Sequence, residues 1–237
     1  MSVERNLVIS LLKLTKEGTV LIEDVKNNAK IPAAVAKKLL GKLQTEELIN
    51  LKSGSVEVDS NGRLKLAVKA ASLGADLEHI SDLLCWQEFE QIAAVALANN
   101  GYIVKKNVRF KHAGRRWEID VVGCRKPLVV CVDCKHWQHT IAPSALKKMV
   151  TEQVERTRAF ADSLPNINLN LECAKWDNAK FIPTVLSLLP SAYKFYDTVP
   201  VVPVLQLQDF INQLPAYIAD VKFFPKTFNR LSHDFQN

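Results

Sequence analysis

A chain of 237 residues, 48% of them hydrophobic, has material for one large or two ordinary domains and is too apolar to be disordered throughout. Lys plus Arg exceed Asp plus Glu by 31 to 25, and the excess is uneven: residues 1–72 carry 12 basic against 8 acidic side chains, the remaining 165 carry 19 against 17. Five cysteines, odd in number and with no secretory leader, lead us to expect reduced thiols in a cytosolic protein, not a disulfide framework. The apolar start, residues 7–14, is too short to span a membrane and is interrupted by Lys13.

In chain order, Leu7, Val8, Leu11, Leu12 and Leu14 recur at helical spacing, and a second short helix is predicted over residues 21–29, past the break at Gly18. A third begins at Pro32, a residue suited to a first helical position, with Val35, Ala36, Leu39, Leu40 and Leu43 as its inward stripe. Lys37, Lys38 and Lys42 fall outside that stripe. Residues 48–52 and 56–58 read as two strands joined by Ser53-Gly54-Ser55. Three helices and a hairpin resemble the winged-helix form of the helix-turn-helix, and the resemblance implies a third helix that enters a DNA groove. From residue 25 to 45 there are five lysines and no acid, which lets that helix approach phosphates. The same lysines also read as the solvated face of an amphipathic helix, or as part of a protein-binding module. Residues 64–84, broken at Gly74, read as a helical connector, with a domain boundary near residue 72 and the connector proper at 73–85.

The second part is predicted as a helix from Trp86, with Phe89, Ile92, Ala93, Ala96 and Leu97 inward and Glu88 and Glu90 in its first turns, then three strands at 102–110, 115–123 and 128–135. Side chains alternate along a strand, so Glu118 and Asp120 are expected on one face and Trp117, Ile119 and Val121 on the other; Asp133 and Lys135 share a face in the third strand. If the strands pair, Asp120 and Asp133 come together beside Lys135. Two converging carboxylates repel unless a cation joins them, and hard oxygen donors suit Mg²⁺.

The order Phe89-Glu90, Glu118-Ile119-Asp120 and Val132-Asp133-Cys134-Lys135 resembles the PD-(D/E)xK nuclease superfamily, and its Mrr-like and archaeal Holliday-junction-resolvase branches in particular. The likeness covers residues 86–215, with a helix at 142–163, strands at 180–189 and 199–205 and a helix from 208 also fitting; Ile119 stands where the pattern often has proline. The fold implied is α/β, a restriction-endonuclease-like mixed sheet flanked by helices at 73–237, preceded by a small α+β winged-helix domain at 1–72. The resemblance implies that Asp120 and Asp133 bind Mg²⁺, with Mn²⁺ as a substitute, that the Cys134 carbonyl is a further ligand, and that Glu90 completes the shell directly or through water. Lys135 would position the attacking water and offset charge at the phosphorus. The expected reaction is phosphodiester hydrolysis in DNA, leaving a 5′-phosphate and 3′-hydroxyl, in repair, recombination or restriction.

Lys105, Lys106, Arg109, Lys111, Arg115 and Arg116 put six basic residues and no acid ahead of Glu118; they read as a grip on the phosphate backbone or as a charged guard on an edge strand. Glu118 itself reads as a metal ligand or as a partner of Arg116. Cys131 and Cys134, with Cys124, His136 and His139 near, raise a zinc site, but residues three apart in a strand face opposite ways. His136, Trp137 and His139 read as lining the DNA path or as loop packing. No membrane contact and no small-molecule cofactor are expected. Related nucleases often dimerise, so a homodimer is a candidate assembly, and residues 195–207 are apolar enough for an interface or a core. The rival reading is a winged-helix regulator whose nuclease fold has lost its activity.

Overall fold

The computed structural model describes residues 2–135, 142–165, 169–187 and 193–228, and the chain divides into two compact units, Met1–Gln91 and Ile92–Asn237. In the first unit, helix α1 (Val3–Leu14) buries Leu7, Val8, Leu11 and Leu12 completely and packs against α2 (Ile22–Ala29). Leu21, expected in that second helix, instead belongs to a two-residue strand β1 (Val20–Leu21). Helix α3 (Ala33–Thr45) starts one residue later than expected: Pro32 has an extended ψ of 147° and caps the helix, its carbonyl accepting from the Ala36 N–H at 3.0 Å. Ala36, Leu40 and Leu43 point inward, whereas Val35, expected with them, is 36% exposed because one residue turns the helix by about 100°.

Strands β2 (Asn50–Lys52) and β3 (Ser55–Glu57) meet through Ser53 and Gly54, both at positive φ as a tight hairpin turn requires, and β1 adds to the far side of β3 in the order β1-β3-β2. Helix α4 (Ser60–Ser72) is capped by Asp59, whose carboxylate accepts the Gly62 N–H at 2.6 Å. The chain turns at Gly74 into α5 (Leu77–Leu83) and then α6 (Trp86–Asn99). Arg63 of α4, only 4% exposed, ties this stretch together: it donates to the carbonyls of Leu12 and Leu83, each at 2.6 Å, to Thr15 Oγ1 at 2.9 Å, and to the carboxylate of Glu88. That network carries the first unit through α4, α5 and the start of α6, so the division falls inside α6 and not near residue 72.

The second unit is a seven-stranded mixed sheet flanked by helices. Strands β4 (Ile103–His112), β5 (Arg115–Arg125) and β6 (Leu128–Lys135) form an antiparallel meander; β7 (Asn178–Ser187) then lies parallel to β6, and β9 (Val199–Pro203) parallel to β7. A short β8 (Phe195–Tyr196) closes one edge, and β10 (Phe224–Thr227) pairs with β7; both are too short for their periodicity to be read from sequence. The strand expected over 180–189 is described to Ser187 and starts two residues earlier, and the one expected over 199–205 gives way after Pro203 to a single 3₁₀ turn and then α8 (Leu207–Gln213). Val199, Val201 and Val202 are core, while Phe195 is 49% exposed.

The 21-residue helix α7 (Pro143–Ser163) crosses one face of the sheet. Its first half packs Leu146, Met149 and Val150 on Val185, Val199 and Val201; its second half sets Phe160 between Phe110 and Phe181, with ring centroids 5.2 and 5.7 Å away. Gly123 of β5 lies under Leu97 and Tyr102, so close that an added Cβ would have to displace them slightly. Among the described residues no helix is long and apolar enough to cross a membrane.

Candidate active site

The run from Leu128 to Cys134 is buried throughout, because β6 has strands on both sides and helical cover. Asp133 shares this burial at 2% exposed. A carboxylate withdrawn from water needs compensation, and Asp133 receives it twice: Lys135 Nζ lies 3.0 Å from Oδ2, and Arg156 Nη1 of α7 holds Oδ1. The shared face of Asp133 and Lys135 is thus present.

Arg156 was not foreseen, and neither was the residue that aims it. Gln153, fully buried one helical turn earlier, donates through Nε2 to the Cys131 carbonyl at 2.7 Å, and its Oε1 accepts from Arg156 Nη1 at 3.0 Å. The relay therefore runs from the backbone of β6, through α7, back to the acid two residues along β6. Its trace in sequence is a glutamine inside the buried stripe Leu146, Met149, Val150, Thr157, Phe160, where an apolar residue belongs.

Asp120 reaches the same strand differently: its Oδ2 accepts the N–H of Cys134 at 2.7 Å. The β5–β6 ladder ends one step earlier, at Val121↔Val132, and the β4–β5 ladder passes from Lys106↔Val121 to Val108↔Ile119 across Asn107, which has a φ of 52°. Pairing lapses on both sides of Asp120, leaving a side-chain acceptor for the Cys134 amide. The expected unbroken alternation does not hold here, since Ile119 packs into the same core cluster as Val122 and Cys124.

Glu118 pairs with Arg109, its cross-strand neighbour, at 3.1 Å, instead of the expected Arg116; beside that carboxylate the guanidinium of Arg109 is held above its ordinary pKa. Glu88 belongs to the Arg63 network and also accepts the Cys85 N–H at 2.7 Å, whereas Glu90 is 6% exposed on α6. Along the β4–β5 hairpin Lys111 stands directly opposite Arg116 and His112 opposite Arg115, and Arg115 stacks 3.9 Å over the Trp117 ring. Arg109, Lys111, Arg116, Phe110, Trp117 and Glu118 line an open recess of about 540 Å³. Lys105 is half-buried and Lys106 exposed. On α3, Lys37 and Lys38 are exposed, but Lys42 is engaged by Glu4 at 2.9 Å and lies 3.9 Å from Glu46.

Cys131 and Cys134 are both buried and do not form a zinc pair: Cys131 faces the α7 core cluster, and Cys134 lies on the opposite face of β6. Burial drives the Cys131 thiol well above its ordinary pKa. His136, Trp137 and His139 lie outside the described residues. Among the described residues no three His, Cys, Asp or Glu side chains gather as a metal cage. Asp120 of β5 and Asp133 of β6 are hard carboxylate donors of the kind that suits Mg²⁺, an ion that keeps several waters and takes one or two protein carboxylates together with substrate phosphate oxygens.

An α/β fold with acids and a lysine at the end of a central strand is nuclease-like, and the comparisons agree: residues 86–183 match the family model of the nuclease-related domain (NERD). An uncharacterized protein of Archaeoglobus fulgidus is 27% identical over 139 residues, 58% of this chain and 98% of that protein. Among solved structures, protein VC1899 from Vibrio cholerae is similar at 13% identity and a TM-score of 0.41, over 92% of this chain and 52% of that one. Can2 from Sulfobacillus thermosulfidooxidans, in complex with cyclic tetra-adenylate, is similar at 12% identity and a TM-score of 0.36, over 90% and 51%. The chain thus spans about half the length of each of these two structures.

Proposed function

We propose that this protein is a Mg²⁺-dependent deoxyribonuclease that hydrolyses phosphodiester bonds, with its chemistry on β5 and β6 and a winged-helix DNA-binding part ahead of it. The observation that carries the reading is the buried Asp133 with Lys135 at 3.0 Å, beside Asp120 on the Cys134 amide, inside the segment that matches a nuclease-related domain. Asp120, Asp133 and the Cys134 carbonyl would hold the ion, with Glu90 contributing directly or through water; Mn²⁺ would substitute. When bound, the ion supplies charge stabilisation at the scissile phosphate and lowers the pKa of water. Lys135, tethered to Asp133, orients the attacking water and offsets negative charge growing on the phosphate oxygens. The Cys134 N–H fixes Asp120, so that this acid does not spend rotamer freedom on binding.

The β4–β5 hairpin supports the DNA contact. Like charges directly opposite one another, as at Lys111 and Arg116, destabilise a ladder, and a phosphate between them relieves the repulsion. On α3, Lys37 and Lys38 are the cations presented to solvent, and the order of three helices and a three-stranded sheet supports the winged-helix reading. Exposed Tyr193, Phe195 and Tyr217 are candidates for a homodimer contact that would bring two sites to two strands. A cytosolic location and a role in repair, recombination or restriction belong to the same reading.

One observation favours the rival reading, a DNA-binding protein without catalysis: both oxygens of Asp133 already carry cations of the chain itself. Labelled duplex, single-stranded, flap, fork and four-way-junction DNA, incubated with Mg²⁺, Mn²⁺ or Ca²⁺, decides between them. Cleavage with Mg²⁺ that is lost in a folded Asp133→Ala protein is expected; binding without cleavage of any substrate would favour the rival.

A further inference from the structure

Arg156 has a place in the site that none of the expected residues explains. It comes from α7, is largely buried, is steered by a glutamine anchored on β6, and ends on Asp133 Oδ1, while Lys135 occupies Oδ2. Unlike Arg63 beside Glu88, which is closed off from water, Arg156 keeps 18% of its side chain exposed, so its end of the pair lies within reach of solvent.

We propose that Arg156 is an internal counter-ion of Asp133 that gives up its oxygen when a divalent cation binds, and that the released guanidinium then takes a phosphate oxygen of the DNA. This rests on the reading of the site as metal-dependent. The charge arithmetic favours the exchange: Lys135 and Arg156 already offset the two carboxylates Asp120 and Asp133, so adding a dication without moving Arg156 would set four positive charges against two negative ones. Arg156 in turn has no second carboxylate within ion-pair distance among the described residues, so once released its ready anion is the phosphate that binds at the same place. Gln153 keeps the side chain pointed at the site in both states. Ion and DNA therefore bind cooperatively, each making room or partners for the other.

The test reads binding, not turnover. Isothermal titration of Ca²⁺ and Mn²⁺ into the full-length protein should give affinities about tenfold tighter for Arg156→Gln than for the wild type, on the scale of one lost charge-assisted hydrogen bond. Arg156→Lys, which keeps the charge but loses the planar fork, should fall between. Fluorescence anisotropy with a labelled duplex should show Ca²⁺ strengthening DNA binding in the wild type and much less in Arg156→Gln, both proteins first checked for native circular dichroism. Equal ion affinities in the three proteins, or an unchanged Ca²⁺ effect on DNA, would overturn the inference alone if the wild type still binds ions and cleaves. A folded wild type that binds no divalent ion would overturn this inference and the metal-dependent reading together.

Discussion

Glu88 and Asp133 are both buried acids held by a guanidinium from a different element, and their substitutions should be felt in different measurements. Glu88 closes the Arg63 network of the first unit, so Glu88→Gln or Arg63→Met leaves a buried polar group or charge unpaired and should cost about 3–5 kcal/mol in urea denaturation. Asp133→Asn keeps the shape but loses an acceptor for one of its two cations, Lys135 and Arg156, which keep 25% and 18% of their side chains exposed. It should therefore lower the denaturation midpoint less than Glu88→Gln while cutting cleavage by at least about a hundredfold, read by a plasmid assay beside the unfolding curve. Glu90→Gln should resemble Asp133→Asn in losing cleavage while holding its midpoint. If Glu90→Gln instead lowers the midpoint as Glu88→Gln does and leaves cleavage intact, the helix acid is structural.

At the scale of elements, contact between α6 and β5 depends on the missing side chain of Gly123, where a Cβ would lie 3.0 and 3.1 Å from the two methyl carbons of Leu97 and 3.3 Å from the Tyr102 ring. Gly123→Ala should therefore cost about 1–3 kcal/mol of stability, seen as a lower thermal midpoint. In the first unit, the Lys42 and Lys69 ammonium groups beside Glu4 hold its carboxyl below the ordinary range and join α1 to α3 and α4. A depressed carboxyl adds stability above its unfolded pKa and loses it as pH falls through the folded value, so Glu4→Gln should narrow the gap in midpoint between neutral and acidic pH. Much of this architecture was legible because the signals are local: a strand that is apolar over five residues before Asp133, a 21-residue helix opened by proline, turns marked by glycine. Gln153 and Arg156 were not, since nothing within twenty residues of Asp133 says which face of a later helix will cover it. Nor was the lapse at Asp120, which depends on the backbone of Asn107 in the neighbouring strand. The exposure of Val35 is likewise hidden, because in sequence an apolar residue beside a buried stripe is indistinguishable from part of it.

For the whole molecule, the charge surplus of the first 72 residues reduces on α3 to two lysines with free heads, since Lys42 is bound to acids of its own unit. Lys37→Ala with Lys38→Ala should lower the slope of log K against log salt for duplex binding by about 1.8, roughly 0.9 for each phosphate contact, whereas Lys42→Ala should leave the slope nearly unchanged. Anisotropy across a salt series on the full chain measures both; a cut near residue 72 would instead separate Arg63 from Glu88 and confuse lost contacts with lost folding. The sheet also carries a history in its pairing. β4, β5 and β6 are joined by two tight turns and can zip together from neighbouring sequence, but β7 finds β6 only after the whole of α7 and the segment behind it have been laid down. Loop closure of that length is slow relative to hairpin formation. Asp133 is then delivered into a half-built sheet before the arginine that neutralises it has arrived, and pulse-labelled hydrogen exchange during refolding should find the amides of β5 protected ahead of those of β7. An acid waiting at a growing strand edge repels a second copy of itself, so the charge of Asp133, before its arginine arrives, works against pairing between two unfinished chains.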